Sequence, residues 1–191
     1  MQGSTMRIRL ALNALALAAL AASASAAPLR YVITATGSGE LNGTLFTDAR
    51  VTFVAIGDTD DRIGSAPLYK VPVTATVTVN GLGTDTLTQG LAVFVAQNSN
   101  AAGLQVFVGG TADILDVLNS NFGTYDLTTP IGPLFGAPLI NDGSTYDTLG
   151  GGIRLDTVSN GAFTAQAVPE PATMAALSLG ALGLLKRRRK A

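Results

Sequence analysis

Asp58-Thr59-Asp60-Asp61 is the tightest group of charged side chains in the middle of the chain. Carboxylate oxygens spaced this way on a loop are hard ligands that can share a calcium ion. A complete helix–loop–helix calcium site also needs glycine at its sixth position and a distal glutamate, and neither follows here. Asp58, Asp60 and Asp61 are therefore read as an acidic hairpin tip and as the one candidate for a weak calcium site. No other cofactor is expected.

The remaining chemistry is quickly bounded. Cysteine, histidine and tryptophan are absent. Without them there is no disulfide, no thiolate or imidazole metal site, and no Ser-His-Asp or Cys-His nucleophile. Lys70 is the only lysine between residues 27 and 168, and no serine stands three positions before it, so a Ser-Lys nucleophile lacks its usual spacing. Paired carboxylates can cleave glycosidic bonds, but Glu40 is the only glutamate in this stretch and the aspartates sit beside Gly, Thr and Asn, where turn-making is their ordinary role. Gly37-Ser38-Gly39 and Gly81-Leu82-Gly83 open no helix after a parallel strand, so they read as hairpin turns and not as phosphate loops. Tyr31, Tyr69, Tyr125 and Tyr146 read as core or rim residues, with a sugar-binding face as the alternative. The protein is not expected to be an enzyme.

Charge separates the chain into three parts. Seven of its twelve basic residues are Arg7, Arg9 and the run from Lys186 to Lys190. Residues 27–168 keep five basic against twelve acidic side chains, a net charge of −7. Such a body lacks the clustered bases that phosphates require, which excludes nucleic acid as a partner.

The elements that must position these residues are strands. Along "VPVTATVTVN" (71–80), Val71, Val73, Ala75, Val77 and Val79 face one way, and the intervening residues, threonines among them, face the other. That period of two marks a half-buried strand. "ARVTFVAIG" (49–57) is apolar on both faces and reads as a central strand; "RYVITATGSG", "GELNGTLF", "LAVFVAQ", "LQVFVGG", "GGIRLDTV" and "GAFTAQ" read as its neighbours. Turns are expected at Gly37-Ser38-Gly39, Asn42-Gly43, Asn80-Gly81, Gly109-Gly110 and Asn141-Asp142-Gly143. "TADILDVLN" (111–119) is the one expected helical turn, with Ile114, Leu115 and Leu118 inward. Many short strands without alternating helices predict an all-β domain of β-sandwich or jelly-roll form. About 140 residues are enough for a core without disulfides.

Both ends have a different character. "MRIR" followed by an apolar run to Ala22 and then "SASAAP" has the order of a signal peptide. Small residues at Ala24 and Ala26 suit signal peptidase, with cleavage expected after Ala26, giving residues 1–26 as the leader. At the other end, Val168-Pro169-Glu170-Pro171 must be extended, because two prolines fix φ and withhold donors. Residues 172–185 are uncharged and helix-prone, and Lys186, Arg187, Arg188, Arg189 and Lys190 form a basic stop. A fourteen-residue helix rises about 21 Å, against a hydrocarbon core of ~30 Å. It suits a transient membrane stop better than a lasting anchor.

This end resembles the PEP-CTERM sorting signal of exopolysaccharide-producing Gram-negative bacteria. The resemblance rests on Pro169-Glu170-Pro171, the small hydroxyl residue Thr173, the short apolar run and Arg187 to Arg189, and it covers residues 168–191. It implies export, recognition by an exosortase, removal of the tail, and delivery to the cell surface or extracellular matrix. Residues 35–59 and 122–133 resemble stretches in the bodies of other PEP-CTERM proteins, which implies an exported β domain and no particular activity. The organisation expected is a signal peptide (1–26), a β-sandwich body (27–167) and a sorting signal with a short transmembrane helix (168–191). The role expected is structural or adhesive within an exopolysaccharide-rich layer. A carbohydrate- or calcium-binding module is the alternative, and an aspartate-dependent glycoside hydrolase the third reading.

Overall fold

The computed structural model describes residues 28–107, 112–141 and 143–169; the expected signal peptide, the sorting segment from Glu170 onward and the Gly109-Gly110 turn lie outside them. Eleven strands follow one another: β1 (Leu29–Leu41), β2 (Thr44–Gly57), β3 (Ile63–Ser65), β4 (Leu68–Val79), β5 (Gly83–Thr86), β6 (Leu91–Ala96), β7 (Ala101–Val106), β8 (Ala112–Leu118), β9 (Ile131–Leu139), β10 (Thr145–Thr148) and β11 (Gly151–Ala167). All their pairings are antiparallel. The all-β expectation holds.

The sheet is barrel-like, and the sandwich or jelly-roll form is not confirmed. Eight strands form a ring in the order β1-β2-β4-β6-β7-β8-β9-β11, and β11 returns to pair with β1. Two strands divide their length between partners. β4 pairs with β6 through Leu68–Val73 and with β2 through Thr74–Val79. β9 pairs with β11 as far as Gly136 and with β8 from Ala137 to Leu139. Each thus forms a corner where one arc of sheet becomes the next, which joins into a barrel what would otherwise be two layers. Alternation within a strand is the same in both architectures, so periodicity could not separate them.

The interior follows the alternation. Val71, Ala75, Val77 and Val79 of β4 are buried while Thr74 is exposed, and Val51, Phe53 and Ala55 of the neighbouring β2 pair with Val79, Val77 and Ala75 on the same inner face. At the end where both chain termini leave, Phe163 is the hub of an aromatic cluster. Phe122 meets it edge-on at 5.3 Å, with Tyr31 at 6.2 Å and Tyr125 at 6.4 Å. Phe122 rides on a 3₁₀ turn (Ser120–Gly123) capped by Asn119, whose Oδ1 accepts the Asn121 N–H. The segment behind it is pinned by Arg62 Nη1 donating to Asp126 Oδ2 (2.8 Å) and Gln97 Nε2 donating to the Tyr125 carbonyl (2.8 Å).

The far end is closed by a polar clasp. Asn42 Nδ2 donates to Asp85 Oδ2 (2.7 Å), the Gly150 N–H donates to the same oxygen, and Asn42 Oδ1 accepts from Thr148 Oγ1 and the Gly152 N–H. One asparagine and one aspartate thereby join three hairpin tips. The hydrogen bond from Asn42, then those from Thr148 and the Thr86 and Gly150 amides, hold the Asp85 carboxyl down at about 2.

Two local expectations are corrected. Gly37-Ser38-Gly39 is not a turn; it lies inside β1, where the ladder to β11 shifts register. Its glycines answer to close packing of backbone. A Cβ on Gly37 would sit 2.5 Å from the Thr157 carbonyl oxygen, and one on Gly39 would run into that of Arg154. The stretch expected to be helical is strand β8 from Ala112 onward. A bulge against β7, where Leu104 opposes Leu115 and Gln105 opposes Asp113, leaves Ile114 between them and buries Ile114 and Leu115 together. Two consecutive inward residues mimic a helical face, and a bulge produces them too.

Gly39→Ala should therefore destabilise the body by roughly 1–3 kcal/mol, the usual cost of forcing extra volume into a packed site. Chemical denaturation against Thr52→Ala, on the outer face of the neighbouring strand, checks this. Equal midpoints for the two variants would contradict it.

Candidate functional site

The ladder that closes the barrel also shapes its outer surface. Between Thr34 and Thr36 of β1 the partner on β11 moves from Ala162 to Ser159, so β11 carries one residue more than β1. Asn160, in that bulge, takes φ 53°, a left-handed conformation that glycine adopts more easily. Over this bulge lies a groove of about 560 Å³ on the outer face of β2, β1, β11 and β9. Thr34, Thr36, Thr164 and Asn160 supply its hydroxyls and amide, Arg50 stands on one side and Phe135 on the other. Phe135 is 71% exposed, yet its backbone is pinned, because Asn119 Nδ2 donates to its carbonyl at 2.9 Å. Register places Phe135 opposite Ala162, Ala162 opposite Thr34, and Thr34 opposite Thr52, a straight row across four strands.

A second cluster lies on β8. Asp116 is 5% exposed, and its Oδ1 has no hydrogen-bond partner, nor has Nε2 of the buried Gln105 on β7. Gly103, opposite Asp116, leaves the space its carboxyl fills, since a Cβ there would collide with Oδ1. Burial, reinforced by the charge of Asp113, pushes the Asp116 carboxyl up to about 8. Burial raises Asp113 as well, with Lys70 pulling the other way. A carboxyl kept neutral near pH 7 can donate a hydrogen bond. A glycosidase needs two carboxyls reaching one bond in a cleft, and Asp116 is enclosed.

Of the expected calcium ligands Asp58, Asp60 and Asp61, the first has a local purpose. Asp58 caps the 3₁₀ turn Thr59–Asp61, its Oδ1 accepting the Asp60 N–H at 2.9 Å. Among the described residues no group of three or more acidic side chains is gathered to hold a metal. The tyrosines give no sugar platform: Tyr31, Tyr125 and Tyr146 are buried, and Tyr69 is half-buried under the Arg62 guanidinium, 4.8 Å above its ring. Ala24, Ala26, Glu170, Pro171, Lys186, Arg187, Arg188, Arg189 and Lys190 lie outside the described residues. Among the described residues no helix is long and apolar enough to cross a membrane, and the expected sorting helix is not among them.

Val168 and Pro169 are in view. Leu29 pairs with Ala167, and the Val168 N–H donates to the Pro28 carbonyl at 2.9 Å. The two ends of the body therefore lie side by side, and the proline strip begins two residues beyond the last strand. Compared with known protein families, residues 167–190 match the PEP-CTERM protein-sorting motif. The chain carries a PEP-CTERM sorting signal. Comparison with curated proteins and with solved structures gave no match. The motif marks the protein for export to the cell envelope or surface of a Gram-negative bacterium and for processing by an exosortase. The PEP-CTERM match begins at Ala167, so it describes the shipping of the barrel and not its task.

Sequence reasoning passed over Phe135, Arg50 and Asn160. Residues 151–158 and 161–166 read as two strands, whereas β11 runs through Ser159-Asn160 between them; a turn-like pair inside two apolar runs was the available signal for a bulge.

The acid pair makes a pH prediction. Asp116 is raised in the folded protein, from 3.8 to about 8, so its stabilising contribution is complete below about pH 4 and is lost as pH rises to about 8. The slope is at most about 1.4 kcal/mol per pH unit. Asp116→Asn, neutral throughout, should match the parent near pH 4 and gain on it steadily up to pH 8 in thermal melts. Parallel stability curves for parent and variant would contradict this.

Proposed function

We propose that this is a non-enzymatic surface protein whose barrel has a structural or adhesive role in an exopolysaccharide-rich layer, without need of a cofactor. The observation that carries the reading is the junction at Ala167. The barrel's closing ladder ends there and the sorting motif begins, so the whole folded body is upstream of the signal. Further support comes from composition: low charge density, exposed threonines and no histidine or cysteine suit a passive component. The enclosure of Asp116 weighs against the hydrolase reading. The carbohydrate-binding alternative is favoured by one feature, the groove with its exposed ring.

Removing Pro169 to Ala191 should leave a folded body that accumulates in the periplasm or medium instead of the surface layer. Fractionation of cells producing the truncated chain checks this, alongside mass spectrometry of the mature C-terminus. Normal surface placement of the truncated chain would overturn the sorting half of the proposal. Release of the intact protein by enzymatic digestion of the polysaccharide is the outcome expected for the matrix half, and full retention after digestion opposes it.

A further inference from the structure

We infer that the groove over the β1–β11 ladder binds a short stretch of acidic polysaccharide, with Phe135 stacked on one sugar ring and Arg50 holding the carboxylate of a uronate. The inference deepens the adhesive reading and rests on it.

Four features converge. The groove, at about 560 Å³, has the size of small-ligand sites. Its rim presents Phe135, largely exposed, on a backbone held by Asn119. An isolated exposed phenylalanine is unremarkable, but one beside a concave floor of mixed polar and apolar side chains offers a flat apolar face to the C–H side of a pyranose. The floor carries Thr34, Thr36, Thr164 and Asn160, groups that both donate and accept, as sugar hydroxyls require. Asn160 does this from a left-handed position where glycine would be unstrained, so its amide is present at a local conformational cost.

The fourth feature is charge. Residues 27–168 hold twelve acidic side chains, and none of the described ones lines the groove. Of the basic residues, Arg62 is paired with Asp126, Arg154 with Asp156 and Glu40, and Lys70 acts on Asp113. Arg30 and Arg50 make no ion pair among the described residues, and of the two Arg50 lines the groove. A guanidinium fork matches a carboxylate in two parallel hydrogen bonds. Arg50 on β2 and Phe135 on β9 are separated laterally by β1 and β11, three strand spacings or about 14 Å, and by a further two residues along the strands, since the row of Phe135 reaches β2 at Thr52. That span exceeds one pyranose, so the ligand is an oligosaccharide.

The ring of strands and the core close within Pro28–Val168, so that body can be titrated directly. The probes are tetrasaccharides of galacturonate, mannuronate and guluronate, with neutral galactose tetrasaccharide as counterpart, followed by calorimetry at low and high salt. Saturable one-to-one binding of at least one acidic probe is expected, stronger than the neutral one and weakened by salt. Phe135→Ala should lower affinity about tenfold, and Arg50→Gln should remove the preference for acid over neutral sugar. Both sites are exposed, so the variants should melt as the parent does. The assignment is overturned by no acidic probe binding, by equal binding of the neutral probe, or by either variant binding as the parent. Loss of sugar binding in the variants with unchanged retention in the surface layer would place adhesion elsewhere on the barrel. Failure of the groove is thus distinguishable from failure of the adhesive role.

Discussion

The pairing of β1 with β11 is the constraint on which the rest depends. It is the longest-range ladder in the body, joining Leu29 to Ala167 at one end and Leu41 to Ile153 at the other. Without it the ring is an open sheet with two long edges, each presenting unpaired N–H and C=O groups to any passing strand. With it, the barrel needs no disulfide to hold its ends, which suits an exported chain lacking cysteine. Along the ladder, β11 comes close at Gly37 and Gly39, where a Cβ would collide with its carbonyls, and bulges at Asn160.

Two consequences follow from that one seam. The first concerns handling. Because the body's first and last strands are partners, the chain enters and leaves at one point, and the Val168 N–H bond to the Pro28 carbonyl is the last tie before the proline strip. Removal of a tail from such a place severs no strand of the barrel. The second concerns the surface. The bulge that relieves the ladder bends β11 under the groove and sets Asn160 there, between Arg50 and Phe135. Closure and the candidate binding face share a structural cause.

Much of this was legible in the chain. The threonine–valine alternation of residues 71–80 gave β4 its inward face, and Asn42-Gly43 made the turn it promised, with both residues at positive φ. The sorting signal was legible because prolines, an apolar run and bases act locally and need no partner to be recognised. Partnership was not legible. No feature of β4 alone says that it changes neighbours at Val73, so a barrel and a sandwich look alike from within a strand. Ile114-Leu115 and Gly37-Ser38-Gly39 misled for the same reason: a bulge borrows the local pattern of a helix or a turn. Phe135, Arg50 and Asn160 are three unremarkable residues until register brings them to one face.

Hydrogen exchange across the β1–β11 seam tests the account most directly. The chain from Pro28 to Ala191 and the chain ending at Val168 should show the same slow exchange at the amides of Tyr31 to Thr34 and Ala162 to Ala165. The tail would then be separable cargo wrapping, with the barrel closed by its own ladder. Exchange in this seam that rises to the level of the hairpin tips once the tail is absent would show that the tail holds the barrel shut, and would contradict the account.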